Sequence, residues 1–148
     1  MSDGEHGFGA VLTFGGTLTT PITTGTSIIG NIVTLSRSGG GRDAIDKSTA
    51  ESTGKAREFI PGMIDPGEIS ATVNLDTSSG GVANSLETAY ASGTTAAIQI
   101  VLPLTSATSS FLCLGFVQNL GNEVPFDDKM TQSVTFKLTG VPTFTDQA

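Results

Sequence analysis

Residues 57–76 read REFIPGMIDPGEISATVNLD, and the fold is decided by how that stretch is divided. Its first half is punctuated by Pro61-Gly62 and Pro66-Gly67 around Met63, Ile64 and Asp65. Proline presets φ and glycine accepts positive φ, so two such pairs predict two reversals of direction. The second half alternates. Ile69, Ala71, Val73 and Leu75 fall on one side, and Glu68, Ser70, Thr72, Asn74 and Asp76 on the other. Period 2 places these sets on opposite faces of a strand, one suited to a core and one to water.

Working outward, residues 10–14 (AVLTF) predict a short strand with Ala10, Leu12 and Phe14 on one side, and Gly15-Gly16 end it. Residues 28–35 (IIGNIVTL) are β-branched and predict a strand. Between 82 and 91, Val82, Leu86, Ala89 and Tyr90 share a helical face, with Ser78 or Ser79 as cap and Gly93 as stop. Ile98, Ile100, Leu102 and Leu104 then align on one strand face. Residues 111–118 (FLCLGFVQ) are apolar on both faces and predict a covered strand holding Cys113 as a small core residue. Residues 119–128 predict a turn. From 130 to 139, Met130, Val134, Phe136 and Leu138 point inward and Ser133, Thr135, Lys137 and Thr139 outward, with Gly140 and Pro142 ending the strand. The order predicts one mainly-β domain, a two-sheet β-sandwich or barrel with one flanking α-helix at about 82–91.

Residues 36–58 (SRSGGGRDAIDKSTAESTGKARE) have almost no apolar side chains and predict a long polar loop. Loops of that length are functional or disordered in compact domains. Five of the seven basic residues lie there (Arg37, Arg42, Lys47, Lys55, Arg57), with the acids Asp43, Asp46, Glu51 and Glu58. The near balance of charge fits docking on another polar surface, so these residues, Glu58 apart, are the candidates for contacts in an assembly. Residues 1–9 are Gly-rich and polar and predict a flexible N-terminal arm, and 142–148 a short tail.

The net charge is −7, the hydrophobic fraction 37% and the charged fraction 14%. With the 36–58 segment nearly neutral, the acidity belongs to the rest of the chain, which should repel nucleic acid rather than grip it. No apolar run reaches the roughly 18 residues of a membrane span, and the start lacks a secretory pattern. One cysteine excludes an internal disulfide.

Catalytic chemistry is poorly supported. His6 is the single histidine, and no nucleophile–base set can be built on it. Ser52-Thr53-Gly54-Lys55 resembles the end of a phosphate-binding loop, but Ala56 stands where Ser or Thr is needed. One Cys and one His make no zinc site, and the aspartates lack a calcium-loop pattern. The chain is read as neither enzyme nor cofactor protein. Sparse aromatics leave no base-stacking platform.

Residues 58–69 (EFIPGMIDPGEI), the strand end Asn74-Leu75-Asp76, the following helix, the Ile98–Leu104 strand and the closing Val134–Phe144 segment occur in a characteristic order. That ordered set, spanning about residues 26–144, resembles the major tail tube proteins of long, non-contractile-tailed bacteriophages. Related gene-transfer-agent and secretion-system tubes share the fold. The resemblance implies a structural subunit that self-assembles into hexameric rings stacked as a tube, located in the virion after assembly in the host cytoplasm. It implies tape measure, tail terminator and baseplate proteins as partners, and genomic DNA passing through the lumen without specific binding. Some relatives carry a C-terminal immunoglobulin-like domain, which is not expected here.

On that reading, Glu68, Ser70, Thr72, Asn74 and Asp76 face an acidic lumen, and removing 39–54 leaves a folded subunit that cannot polymerise. Two other readings stay open, a monomeric β-sandwich binding module on a virion surface and a secretion-system tube. The former calls for exposed aromatics on a polar face.

Overall fold

The computed structural model describes residues 11–15, 27–29, 32–75, 82–103 and 108–145. The N-terminal arm, Asp76, the helix cap at Ser78 or Ser79, Leu104 and the last three residues lie outside them. Among the described residues, nine strands and one α-helix follow in the order β1 (Val11–Phe14), β2 (Ser27–Ile29), β3 (Ile32–Ser38), β4 (Gly41–Asp46), β5 (Phe59–Asp65), β6 (Glu68–Asn74), α1 (Val82–Ser92), β7 (Ala96–Pro103), β8 (Thr108–Glu123) and β9 (Thr131–Thr145). Seven strands make one antiparallel sheet in the order β2-β1-β7-β8-β9-β6-β3, and β4 and β5 form a separate two-stranded sheet.

The large sheet curls into a half-barrel. Two contacts measure the curl. Phe14 on β1 and Phe136 on β9 have ring centroids 5.2 Å apart, although β7 and β8 lie between them in the sheet. The Arg37 guanidinium on β3 sits 4.2 Å from the ring centroid of Phe111 on β8, across β6 and β9. Neighbouring strands are about 4.8 Å apart, so a flat sheet would hold both pairs well out of contact. The alternation read in β6 is what fills the inside. Ile69, Ala71 and Val73 are buried and join Leu12, Ile98, Cys113, Val134 and Phe136 in one apolar cluster. Leu86 of α1 belongs to the same cluster. The central strand β8 is buried on both faces at Phe111, Leu112 and Cys113, as its unbroken apolar run predicts.

Several expectations are corrected. Pro61-Gly62 does not reverse the chain but lies within β5, where one extra residue opposite Asp43 forms a bulge. An edge strand tolerates a proline because its N–H is not needed for a ladder. Only Pro66-Gly67 turns the chain, with Gly67 at φ +87°. The polar segment 36–58 is largely ordered: β3 runs on to Ser38, β4 occupies 41–46, and a short 3-10 turn covers Thr53–Lys55.

Tyr90 is exposed, and the helix face turned inward is Ala83, Leu86 and Ala89. Strand β8 continues through the predicted turn to Glu123. Strand β9 passes Gly140 and Pro142, where two extra residues bulge between the pairs Leu112–Thr143 and Leu114–Thr139. Met130 is exposed, and Gln132 takes the inward position instead. A bulge lets a strand absorb glycine and proline without ending, which period-2 reading treats as a stop.

Candidate functional site

The polar residues of β6 lie where the alternation puts them. Glu68, Ser70, Thr72 and Asn74 occupy the face opposite the core and are each half-buried. The register shows that they are not alone. Ser38, Glu68 and Lys137 align in one row across β3, β6 and β9, and Ser36, Ser70 and Thr135 in the next. Thr34, Thr72 and Ser133 follow, and Asn74, Thr131 and Glu123 carry the last row onto β8. The wet face is therefore a hydroxyl-rich surface four strands wide. Among the described residues its charges are Glu68, Glu123 and Lys137, and Lys137 Nζ is paired with Asp65 at 3.5 Å. The Asp65 carboxyl is held below the usual carboxylate range by the Gly67 N–H, 2.9 Å away, and then by Lys137. With that ammonium neutralised, the face keeps two carboxylates.

One anomaly borders it. Gln132 is 1% exposed, and neither Oε1 nor Nε2 has a hydrogen-bond partner. The Asn74 Oδ1 is likewise buried without a partner.

The second feature is the arm formed by β4 and β5 with its connecting loop, 47–58. All six residues of β4 are exposed. The arm leaves the body through Gly39-Gly40-Gly41 and returns through Pro66-Gly67. Gly67 allows the two crossing chains to touch, because a Cβ there would lie 2.2 Å from the Ser38 carbonyl oxygen and 2.7 Å from the Gly40 nitrogen. The loop is tied internally. Asp46 Oδ1 accepts from the Ser48 N–H at 2.8 Å, Lys47 N–H donates to the Glu58 carbonyl, Glu58 N–H donates to Ser48 Oγ, and Ser52 Oγ donates to Glu58 Oε2. The bonds from Ser48 hold the Asp46 carboxyl below its ordinary range.

The candidate contact residues divide accordingly. Asp43, Asp46 and Arg42 are on β4, and Lys47, Glu51, Lys55 and Arg57 are exposed in the loop or its 3-10 turn. Arg37 is on β3, where its Nη2 donates to the Pro66 carbonyl at 3.3 Å while the guanidinium covers Phe111. It braces the arm's root. Arg42 Nη1 donates across the arm to the Gly62 carbonyl at 3.2 Å.

Sequence reasoning missed the arm's apolar character. Ile45, Phe59, Ile60, Met63 and Ile64 are all exposed, Met63 to 88%. The available signal was four large apolar residues around Pro61-Gly62 beside a polar segment. A two-stranded hairpin is marginally stable in water, and one that exposes apolar side chains is built to be covered.

A half-barrel with one flanking helix, a broad polar face and a projecting arm invites comparison with known proteins. Residues 13–145 match the family model described as lambda phage tail tube protein, TTP. The chain belongs to the lambda phage tail tube protein family.

Solved structures share the fold of this tail tube protein at low identity. A chain in the virion of a native gene transfer agent particle superposes with TM-score 0.70 at 12% identity, covering 97% of this chain and 100% of that one. A chain from the tail of an empty gene transfer agent particle, refined helically with C6 symmetry, gives TM-score 0.65 at 14% identity, covering 92% and 96%. The SPP1 tail tube gives 0.61 at 12%, covering 93% of this chain and 77% of that one. Comparison with curated protein sequences gives no match. The protein is thus a structural tail tube subunit of the virion, in a family of structural proteins. Among the described residues no helix is long and apolar enough to cross a membrane.

Proposed function

We propose that six copies of this tail tube subunit close into a ring, that rings stack into a tube, and that the polar face of β3, β6, β9 and β8 lines the channel. The observation that carries this reading is the coexistence of a wide polar face with an arm whose apolar side chains are exposed. The face suits water and a passing polyanion, and the arm suits a neighbouring subunit. Sixfold closure is supported by the C6 symmetry of the gene transfer agent tail that shares the fold. Ring closure also gives the edge strands β2 and β3 a neighbour, removing an exposed sheet edge that would otherwise invite aggregation.

Glu68 and Glu123 make the wall anionic, with Lys137 occupied by Asp65, so among the described residues DNA meets no cationic row that would hold its phosphates. Tape measure, tail terminator and baseplate proteins are the partners implied by this role. The test is electron microscopy of the purified protein. Tubes with a six-fold channel are expected; dispersed globules at high protein concentration would overturn the reading.

A further inference from the structure

A cleft of about 550 Å³ opens at the root of the arm, lined by Arg37, Ser38, Gly39–Gly41, Arg42, Ile64 and Asp65. Its chemistry is unusual for a chain of net charge −7. Two guanidiniums face it, each held by a backbone carbonyl (Pro66 for Arg37, Gly62 for Arg42), and neither is paired with a carboxylate among the described residues. The acid on its rim, Asp65, is engaged by Lys137 and the Gly67 N–H. Three consecutive glycines leave the floor open to close approach, and Ile64 adds an apolar wall. The site is therefore shaped for a compact acidic segment with a hydrophobic side chain.

The same chain carries such a segment. The turn between β8 and β9 contains Val124, Phe126, Asp127 and Asp128, all exposed, with the Phe126 ring fully in solvent. Neither aspartate has an ion pair among the described residues.

The register sets the two features apart. Ser38 pairs with Glu68 and Glu68 with Lys137 at one end of the sheet, where the cleft begins. Asn74 pairs with Thr131 and Thr131 with Glu123 at the other end, where the turn projects. The seven residues of β6 separate these ends by about 20 Å. A subunit cannot fill its own cleft with its own turn, but the next subunit can.

We propose that the root cleft of one copy receives the Val124–Asp128 turn of a second copy, with Asp127 and Asp128 against Arg37 and Arg42 and Phe126 against Ile64. The contact is heterologous, joining two different surfaces, so each copy offers one free cleft and one free turn. Such a contact propagates into an open array rather than closing a dimer. Paired opposite charges also fix the register of docking and exclude the inverted arrangement. This inference rests on the stacked assembly proposed above and names the contact that joins its layers.

The experiment uses the full chain in three charge variants and one cysteine pair. Arg42→Glu alone, and Asp127→Lys with Asp128→Lys, are expected to abolish sedimentable tubes while leaving the melting temperature of the unassembled subunit unchanged. All three substitutions together are expected to restore tubes. Gly41 has open space around its Cβ position, and Cys113 is buried, so Gly41→Cys with Asp127→Cys supplies a clean reporter. Copper-catalysed air oxidation of assembled tubes should then yield a ladder of disulfide-linked multimers that dithiothreitol collapses, absent from either single variant. Normal tubes from both charge variants, or tubes of the cysteine pair that give no ladder, overturn the contact and leave the tube itself standing. Failure of the unaltered chain to form rings or tubes removes the assembly reading, and the contact with it.

Discussion

At the residue scale, the arm's root depends on Gly67, where a backbone at φ +87° meets the Ser38 carbonyl with no room for a methyl group. Gly67→Ala adds a left-handed strain of about 1–3 kcal/mol to that clash. A lower urea midpoint is expected with the slope unchanged, corresponding to a loss of at least that much stability. Asp65 anchors the same corner and titrates below its ordinary 3.8. A depressed folded pKa means its contribution is present above the unfolded value and disappears as pH falls through the folded one. Amide protection factors at the arm's root, taken relative to intrinsic exchange at each pH, should therefore fall below about pH 4, and Asp65→Asn should abolish that pH dependence while leaving the neutral-pH core intact. Gln132 is the opposite case, a buried amide with no partner. Removing an unmet amide recovers a desolvation cost of roughly 1–3 kcal/mol, so Gln132→Met, similar in volume, is expected to raise the urea midpoint. An unchanged or lowered midpoint would mean that the amide finds a partner, such as ordered water.

At the element scale, the arm is a projecting unit attached by two glycine-containing crossings, the Arg37–Pro66 hydrogen bond and the Asp65–Lys137 pair. Its residues contribute nothing to the buried cluster. Replacing 41–65 by a short Gly/Ser linker should therefore leave a cooperatively folding half-barrel, with near-native thermal unfolding, that forms no tubes. Loss of folding would show that the arm is part of the core. Excising only 39–54 is the poorer test, because it strips β4 from β5 and leaves Phe59, Ile60 and Ile64 on an unpaired strand.

This is also where the limits of the sequence are clearest. The polar face of β6 was legible because period 2 separates Ile69, Ala71 and Val73 from Ser70, Thr72 and Asn74 within seven residues. The helix was legible from Leu86, Ala89 and Gly93. The arm was not, because Arg42, Asp43 and Asp46 have no apolar alternation, and a strand paired only to its neighbour needs none. Pro61-Gly62 and Gly140 misled for one reason. Local turn chemistry cannot tell a reversal from a bulge until the partner strand is known. The extension of the wet face over β3, β9 and β8 depends on long-range register, which no local pattern records.

At the scale of the whole molecule, the sign of the proposed channel wall is the property that assembly multiplies. Among the described residues, each subunit contributes Glu68 and Glu123 to the face, and the ammonium there, that of Lys137, is engaged by Asp65. In a closed ring those carboxylates recur around a confined circumference, where charges of one sign reinforce each other's potential. DNA phosphates entering such a channel meet repulsion from every side and bind nowhere in particular, which favours passage. Glu68→Lys together with Glu123→Lys reverses that field without touching the core, since both side chains lie on the face of the sheet opposite the core. Tubes should still form at normal yield. Single-stranded oligonucleotide should then be retained by the variant tubes and not by the unaltered ones, and raising the salt should release it, with the steep dependence expected of phosphate contacts. Retention that ignores salt, or none at all from well-formed variant tubes, would place these two residues away from the channel and return the polar face to the outer wall.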